Sequence, residues 1–340
     1  MAKQKLKWGI LGASRMAATM LPSLLQAGNA ELVAIASRRK GAAKELLAQA
    51  APHLKVKTYD QPNLLLEDPE VEAVYLPMAN EEHAAWALAC VEHQKHVLVE
   101  KPLALSSADI QAIKHKADAN QVKVMEGFMY RFHPQHQRVF ELINSGTIGQ
   151  IRSVRTAFSF LMRPERLYRI SRPLEQGGGA LWDIGCYAVH SARWFFDCPP
   201  NGVFALAKFN EHGADVTACG VLDFGDGRYA LFDFSYERAR RAEYELIGTL
   251  GGIKCHNVWA KPGEIPVISW WTEQGQLHEE KLQPQDHFRL EIEHFSAGVL
   301  NDSPLALSLE DSEINCRVLE GALQAFRAQR LISIGRDGGI

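Results

Sequence analysis

Two stretches of this chain bring proton-transfer side chains together with backbone that a ligand could approach closely. The first is Val99-Glu100-Lys101-Pro102. The apolar residues before it read as a strand, and Pro102, with its fixed φ and no N–H, stops that strand and fixes the chain's exit. In open parallel sheets ligands gather at the carboxyl ends of strands, so Lys101 would present an ammonium to one. The second is Gly177-Gly178-Gly179 followed by Ala180-Leu181-Trp182-Asp183-Ile184-Gly185-Cys186-Tyr187-Ala188-Val189-His190. Three glycines allow close backbone approach or unusual dihedrals. On an α-helix Asp183, Tyr187 and His190 stand at i, i+4 and i+7 and share one face. Trp182, Trp194 and Phe195 beside them argue that this face is buried. Such a set suits removal of a hydroxyl proton. A tyrosine titrates near 10, too high for a base at neutral pH, and a nearby ammonium lowers that value. Lys101 could supply part of the shift, with Asp183 holding it in place, and either Lys101 or Tyr187 could take the proton.

Oxidising a hydroxyl also needs a hydride acceptor, and the N-terminus offers a place for one. Gly9-Ile10-Leu11-Gly12-Ala13-Ser14-Arg15-Met16-Ala17 follows an apolar strand and opens a helix. Read as G-x-G-x-x-A, its positions are Gly12, Ser14 and Ala17. Gly12 makes the tight turn, Ala17 allows close helix packing, and the N–H groups at the helix start hold a pyrophosphate. Ser14 stands where the middle glycine is usual. The second strand ends without the acid that binds a ribose 2′-hydroxyl. It runs instead into Ser37-Arg38-Arg39-Lys40, where cations could bind a 2′-phosphate. NADP is the expected cofactor, with NAD as the alternative.

Elements able to position these residues can be read along the chain. Up to about residue 128, short apolar runs alternate with helical patterns: strands at 6–11, 31–36, 56–59, 73–77, 96–99 and 122–128, helices at 15–27, 41–49, 81–93 and 106–120. Asn80 and Ser106 sit where N-caps are useful. This predicts an α/β domain over residues 1–128, a doubly wound parallel sheet of the Rossmann type. Beyond about residue 150 the strands become longer and more alternating, at 151–160, 203–209, 215–224, 229–236, 243–248, 251–256 and 266–271. Phe224-Gly225-Asp226-Gly227-Arg228 makes a hairpin turn between two of them. Helices near 286–300 and 309–329 close the chain. Residues 129–340 are thus predicted to form an α+β domain on a large, mostly antiparallel sheet. They would bind substrate and mediate oligomerisation, with the proton-transfer groups meeting at the domain cleft.

Composition narrows the class. With 37 basic and 40 acidic residues and a net charge of −3, nothing attracts nucleic acid or an anionic membrane. No run approaches the length of a membrane span, and the segment after Met1 is too short for a secretion signal. The six cysteines are scattered, with no C-x-x-C pair, which suits a reducing cytoplasm. His133 and His136 have a metal-ligand spacing, but Pro134 interrupts a regular helix and no third ligand is apparent, so no metal is expected. The aromatics Tyr168, Trp182, Trp270 and Trp271 could stack on a sugar or pack the core. Arg131, Arg163, Arg166 and Arg169 could contact a polyol or phosphate or lie on a solvated surface. Few helices remain to cover both faces of the second sheet, so a homodimer built on it is expected.

The order of the G-I-L-G-A-S-R-M-A start, the E-K-P strand end and G-G-G-A-L-W-D-I-G-C-Y resembles the glucose–fructose oxidoreductase, inositol dehydrogenase and MocA (Gfo/Idh/MocA) family across nearly the whole chain. With Phe128-Met129-Tyr130-Arg131-Phe132-His133-Pro134-Gln135, it looks most like the branch of NADP-dependent D-xylose dehydrogenases and dimeric dihydrodiol dehydrogenases. That resemblance implies Lys101 at the reacting oxygen, Asp183 beside it, and Tyr187 where many relatives carry histidine, which argues against inositol dehydrogenase activity. In Pro77-Met78-Ala79-Asn80-Glu81-Glu82-His83 it implies that Pro77, Asn80 and His83 lie near the cofactor, as does Glu100. Tyr168, Arg131 and His190 are candidate substrate contacts, His190 also a reserve acid–base group. The expected activity is hydride transfer between NADP and a hydroxyl of an aldose or cyclic diol. A ketoreductase on a nucleotide-linked or modified sugar and a non-catalytic NADP-binding regulator are the alternatives; an intact proton-transfer set argues against the regulator.

Overall fold

The computed structural model describes residues 4–196, 198–259 and 263–335, which divide into two units. The first runs to Phe132 and takes back Asp286–Glu313; the second holds His133–Gln285 and the chain from Ile314.

The first unit is built on β1 (Leu6–Leu11), α1 (Arg15–Gln26), β2 (Ala30–Ala36), α2 (Ala42–Ala50), β3 (Lys57–Tyr59), α3 (Pro62–Glu67), β4 (Ala73–Leu76), α4 (His83–Glu92), β5 (His96–Glu100), α5 (Ser107–Asn120) and β6 (Val124–Gly127). All six strands are parallel, in the order β3-β2-β1-β4-β5-β6. β4 and β6 are buried at every residue. This is why β4 reads as a continuous apolar run, not an alternating one, while β6 carries the buried Glu126. Strand order reverses beside β1, and the turn after β1 is therefore where such a sheet receives ligands. The expected Rossmann architecture is thus present. Ser106 occupies the cap position of α5, though its side chain makes no capping bond. Asn80 is not a cap: it begins a 3₁₀ turn, Asn80–Glu82, that leads into α4.

The second unit contains α6 (Pro134–Asn144), β7 (Ile151–Ser159), α7 (Cys186–Arg193), β8 (Gly202–Phe209), β9 (Asp215–Asp223), β10 (Tyr229–Ser235), β11 (Arg241–Gly248), β12 (Gly251–His256), β13 (Val267–Thr272) and β14 (Leu277–Lys281). The chain then supplies α8 (His287–Leu300) to the first unit. α9 (Leu309–Ala328) carries it back to β15 (Ile332–Ser333). The nine strands lie in the order β14-β13-β12-β11-β7-β10-β9-β8-β15. Among the described residues only β7 and β10 pair in parallel, so the expectation of a mostly antiparallel sheet holds. The 224–228 turn is the expected one, with Gly225, Asp226 and Gly227 all at positive φ.

Three expectations need correction. The division at residue 128 differs, because α8 belongs to the first unit. Trp8 Nε1 donates to Ser296 Oγ at 3.0 Å, and its ring lies 5.2 Å from that of Phe295. Ser23 Oγ donates to Asp286 Oδ2 at 2.7 Å, and Asn29 Nδ2 to Glu293 O at 2.8 Å. An apolar stripe on a helix shows that one face is buried but not what it is buried against. Second, Pro134 starts α6 at its first turn, where a missing N–H costs nothing. His133 caps it, Nδ1 accepting from the Gln135 N–H at 3.1 Å, and His136 Nδ1 lies 2.8 Å from Tyr244 Oη. Third, the polar stripe is not on one continuous α-helix. Residues Leu181–Gly185 are wound as a π-helix before α7 begins, so Asp183 and Tyr187 do not keep the spacing of two residues one α-turn apart.

Candidate active site

In the first unit, Gly12 follows β1 at φ +124, and a Cβ there would lie 2.8 Å from Met78 Sδ. Only glycine fits this turn. Ser14 has φ −95, an ordinary extended value, so the absent middle glycine causes no strain. Its Oγ accepts the Ala17 N–H at 3.2 Å and caps α1. No acid lies in the first turn of α1, where Arg15 is exposed. The positive end of the helix and its free N–H groups therefore remain available to a phosphate.

Ser37 is buried after β2 and its Oγ accepts the Arg39 N–H at 3.2 Å. Arg39 Nη2 donates to Ala13 O at 3.1 Å, drawing the basic turn against the glycine turn. Arg38 pairs with Glu82 at 2.6 Å. Glu82, on the turn before α4, is a carboxylate beside the basic turn that sequence reading did not foresee, because it lies 44 residues on in the chain. These features fit a dinucleotide carrying a ribose phosphate.

The loop after β5 is held from several sides. Tyr75 Oη donates to Glu100 Oε1 at 2.6 Å, and the Leu103 N–H donates to Glu126 Oε1 at 3.0 Å. His83 stands between two backbone carbonyls, Nδ1 at 2.6 Å from Pro102 O and Nε2 at 3.1 Å from Met78 O. It ties the segment containing Pro77 to the one containing Lys101, and both nitrogens are engaged with backbone. Lys101, joined to Pro102 by a cis peptide, is 9% exposed. Beneath this loop Glu291, from α8, is buried. Burial first and the charge of Glu100 second raise its carboxyl well above the usual range. Asn80 and Arg131 are both partly exposed in this unit.

In the second unit Asp183 is buried and heavily coordinated. Its Oδ1 lies 2.6 Å from Arg169 Nη1, and its Oδ2 accepts from Arg166 Nη2 at 3.1 Å and Tyr236 Oη at 2.6 Å. Arg166 and Arg169 are thus neither surface charges nor unattached contacts. They give the buried Asp183 carboxyl opposite-charge partners, with Tyr236 as a further donor. Burial, and then Asp183, push the Tyr236 phenol well above its ordinary value. The ring of Tyr187 sits 5.8 Å from Phe158 and 6.1 Å from Trp259. His190 is fully buried on α7. Tyr168 is 56% exposed, with the Arg169 guanidinium 5.6 Å from its ring. Tyr236 carried no sequence signal, since nothing local couples it to a residue 53 positions away.

Residues 6–128 match the family model described as "Oxidoreductase family, NAD-binding Rossmann fold", and residues 136–254 match the GFO/IDH/MocA C-terminal domain. A D-xylose 1-dehydrogenase (NADP(+)) of Haloferax volcanii is 30% identical over 320 residues, covering 94% of this chain and 96% of that one. A trans-1,2-dihydrobenzene-1,2-diol dehydrogenase of Xenopus laevis is 29% identical, covering 94% and 97%. A 3-ketoreductase from Actinomadura kijaniata, crystallised with NADP and TDP-benzene, superposes with a TM-score of 0.87 at 28% identity, covering 95% and 98%. The capped glycine turn, the basic turn tied to it, the E-K-P loop and the matches over both units make this chain a member of the Gfo/Idh/MocA family of oxidoreductases.

Proposed function

We propose that the protein transfers hydride between NADP and a hydroxyl of an aldose or related cyclic diol, in either direction. The observation that carries the cofactor is the Ser37-Arg38-Arg39 turn bonded through Arg39 to Ala13, which sets guanidinium groups beside the dinucleotide turn. Similarity to an NADP-dependent xylose dehydrogenase and to dihydrodiol dehydrogenases supports the substrate class.

Gly12, Ala13, Ser14, Arg15 and Met16 would hold the pyrophosphate on the end of α1, and Ser37, Arg38 and Arg39 the 2′-phosphate. Pro77, Asn80, His83 and Glu100 would shape the nicotinamide end. Bound NADP supplies the hydride acceptor, or in reduced form the donor. Lys101 and Tyr187 are each a candidate acceptor for the hydroxyl proton. Asp183, bound by Arg166 and Arg169, would orient Tyr187 on the following turn. Arg131, Tyr168 and His190 would contact the substrate. A second reading, reduction of a keto group on a nucleotide-linked sugar, is favoured by the likeness to the ketoreductase. Turnover of NADP with a panel of aldoses and diols, against NADPH with nucleotide-linked ketosugars, separates the two. No turnover with either panel defeats both.

A second copy of the chain is proposed to cover the open face of the nine-stranded sheet. Leu206 and Leu231 are 44% and 40% exposed there, beside Cys219 and Val221 and a hollow of about 450 Å³. Its lining mixes Arg155, Arg241 and Lys254 with Asp233, Glu243 and Glu245. Charges of both signs around an apolar centre suit a twofold, self-complementary contact. A cytoplasmic location is proposed from the six scattered cysteines, four of them buried. Among the described residues no helix is long and apolar enough to cross a membrane.

A further inference from the structure

The helix carrying Asp183 and Tyr187 begins without a cap of its own. Ala180 occupies the cap position and makes no side-chain bond, and three glycines precede it. Its first N–H groups are met from another element. Asp215, the first residue of β9, accepts the Leu181 N–H on Oδ2 at 2.9 Å and also receives the Ala180 N–H. It is completely buried, and its Oδ1 has no hydrogen-bond partner.

The glycines explain how a carboxyl group comes so near. Gly179 has φ +91, and a Cβ there would collide with Asp215 Oδ1. A Cβ on Gly178 would collide with the carbonyl of Arg172. The Gly179 N–H donates to Arg169 O at 2.8 Å, and Arg169 is a partner of Asp183. One short loop therefore joins the Asp215 contact, the helix start and the Asp183 ion pair.

We propose that Asp215 is the positioning residue for the proton-transfer helix, replacing its missing N-cap from β9, and that Gly179 is required in order to admit it. This rests on the roles proposed above for Asp183 and Tyr187. Burial pushes the Asp215 carboxyl up to about 7, against the lowering effect of the Leu181, Asp215 and Ala180 N–H groups. The charged and titratable groups of the adjoining segments are Glu211 and His212 before β9, Arg166, Arg169 and Arg172 before the glycines, Asp183 and Tyr187 on the helix, and Tyr236 after β10. None exerts an appreciable pull on Asp215. Its charge at the positive helix end, and hence the hold on that helix, changes across neutral pH.

The test compares Asp215→Ala, which removes the acceptor, with Asp215→Asn, which keeps an acceptor but cannot ionise. Hydrogen exchange of residues 178–190, turnover against pH and NADP binding are measured on each. Asp215→Ala should exchange faster there and lose about tenfold or more in turnover, roughly the loss of one charged cap, with NADP affinity unchanged. Asp215→Asn should restore both, while its turnover profile lacks the inflection near 7. Gly179→Ala should resemble Asp215→Ala. Wild-type exchange and turnover in Asp215→Ala would overturn the proposal, and an unaltered pH profile in Asp215→Asn would overturn its ionisation. Faster exchange with unchanged turnover would support the cap and remove instead the proton-transfer role of Asp183 and Tyr187.

Discussion

Replacing Arg38 and Arg39 by alanine should change the choice of cofactor, not the capacity to bind one. Each guanidinium could give a 2′-phosphate a charged hydrogen bond, worth about 1.5–3 kcal/mol in a well-formed site. Both side chains are exposed, so the lower figure applies. Arg38 must also leave Glu82, at 2.6 Å, a part-exposed pair worth about 0–1 kcal/mol. Arg39 keeps its orientation through Ala13 O. The net is about 2–3 kcal/mol for the pair, or roughly a 30- to 150-fold loss of NADP affinity. NAD, which has no 2′-phosphate, should change by no more than about twofold. Glu82→Gln should act oppositely, releasing Arg38 and tightening NADP by up to about fivefold. Fluorescence titration of both cofactors, at low and high salt, reads these changes, and the NADP effects should shrink with salt. Equal loss of NADP and NAD in the double variant would refute the assignment of this turn to the 2′-phosphate.

Lys101→Met should keep NADP binding but cost several orders of magnitude in turnover, since proton transfer and charge stabilisation are lost together; near-normal turnover would transfer the chemistry to His190 or the arginines. Tyr187→Phe should also be severe and should alter the pH–rate profile, and an unchanged profile at reduced rate would leave the phenol a packing role only. The Glu291 carboxyl is raised in the folded state, so folding favours its protonated form. The stability this contributes is complete below the unfolded value near 4.5 and is lost progressively as pH rises above it. Glu291→Gln should therefore gain thermal stability relative to wild type between pH 5 and pH 8, and melting curves that stay parallel would contradict it. Leu231→Glu, placed on the open sheet face, should convert a dimer to a monomer by light scattering; a wild-type protein already monomeric at micromolar concentration would remove the proposed interface.

The sequence alone determined the parts of this protein whose cause is local. Buried parallel strands are mostly apolar, so the first sheet was legible run by run. Gly12 was legible because a tight turn with a positive φ admits little else. The hairpin at 224–228 and the basic turn at 37–39 were legible from residue type. Tertiary structure decided whatever depends on a distant partner. α8 belongs with the first unit because Trp8 meets Ser296, 288 residues away. Asp183 is held by Arg166, Arg169 and Tyr236, and the spacing 183–187–190 could not show that a π-turn separates its members. Three glycines in a row announced close approach without naming what approaches. That it is Asp215 follows only when β9 lies against the helix start, because a buried carboxyl finds its donors through packing and not through sequence proximity.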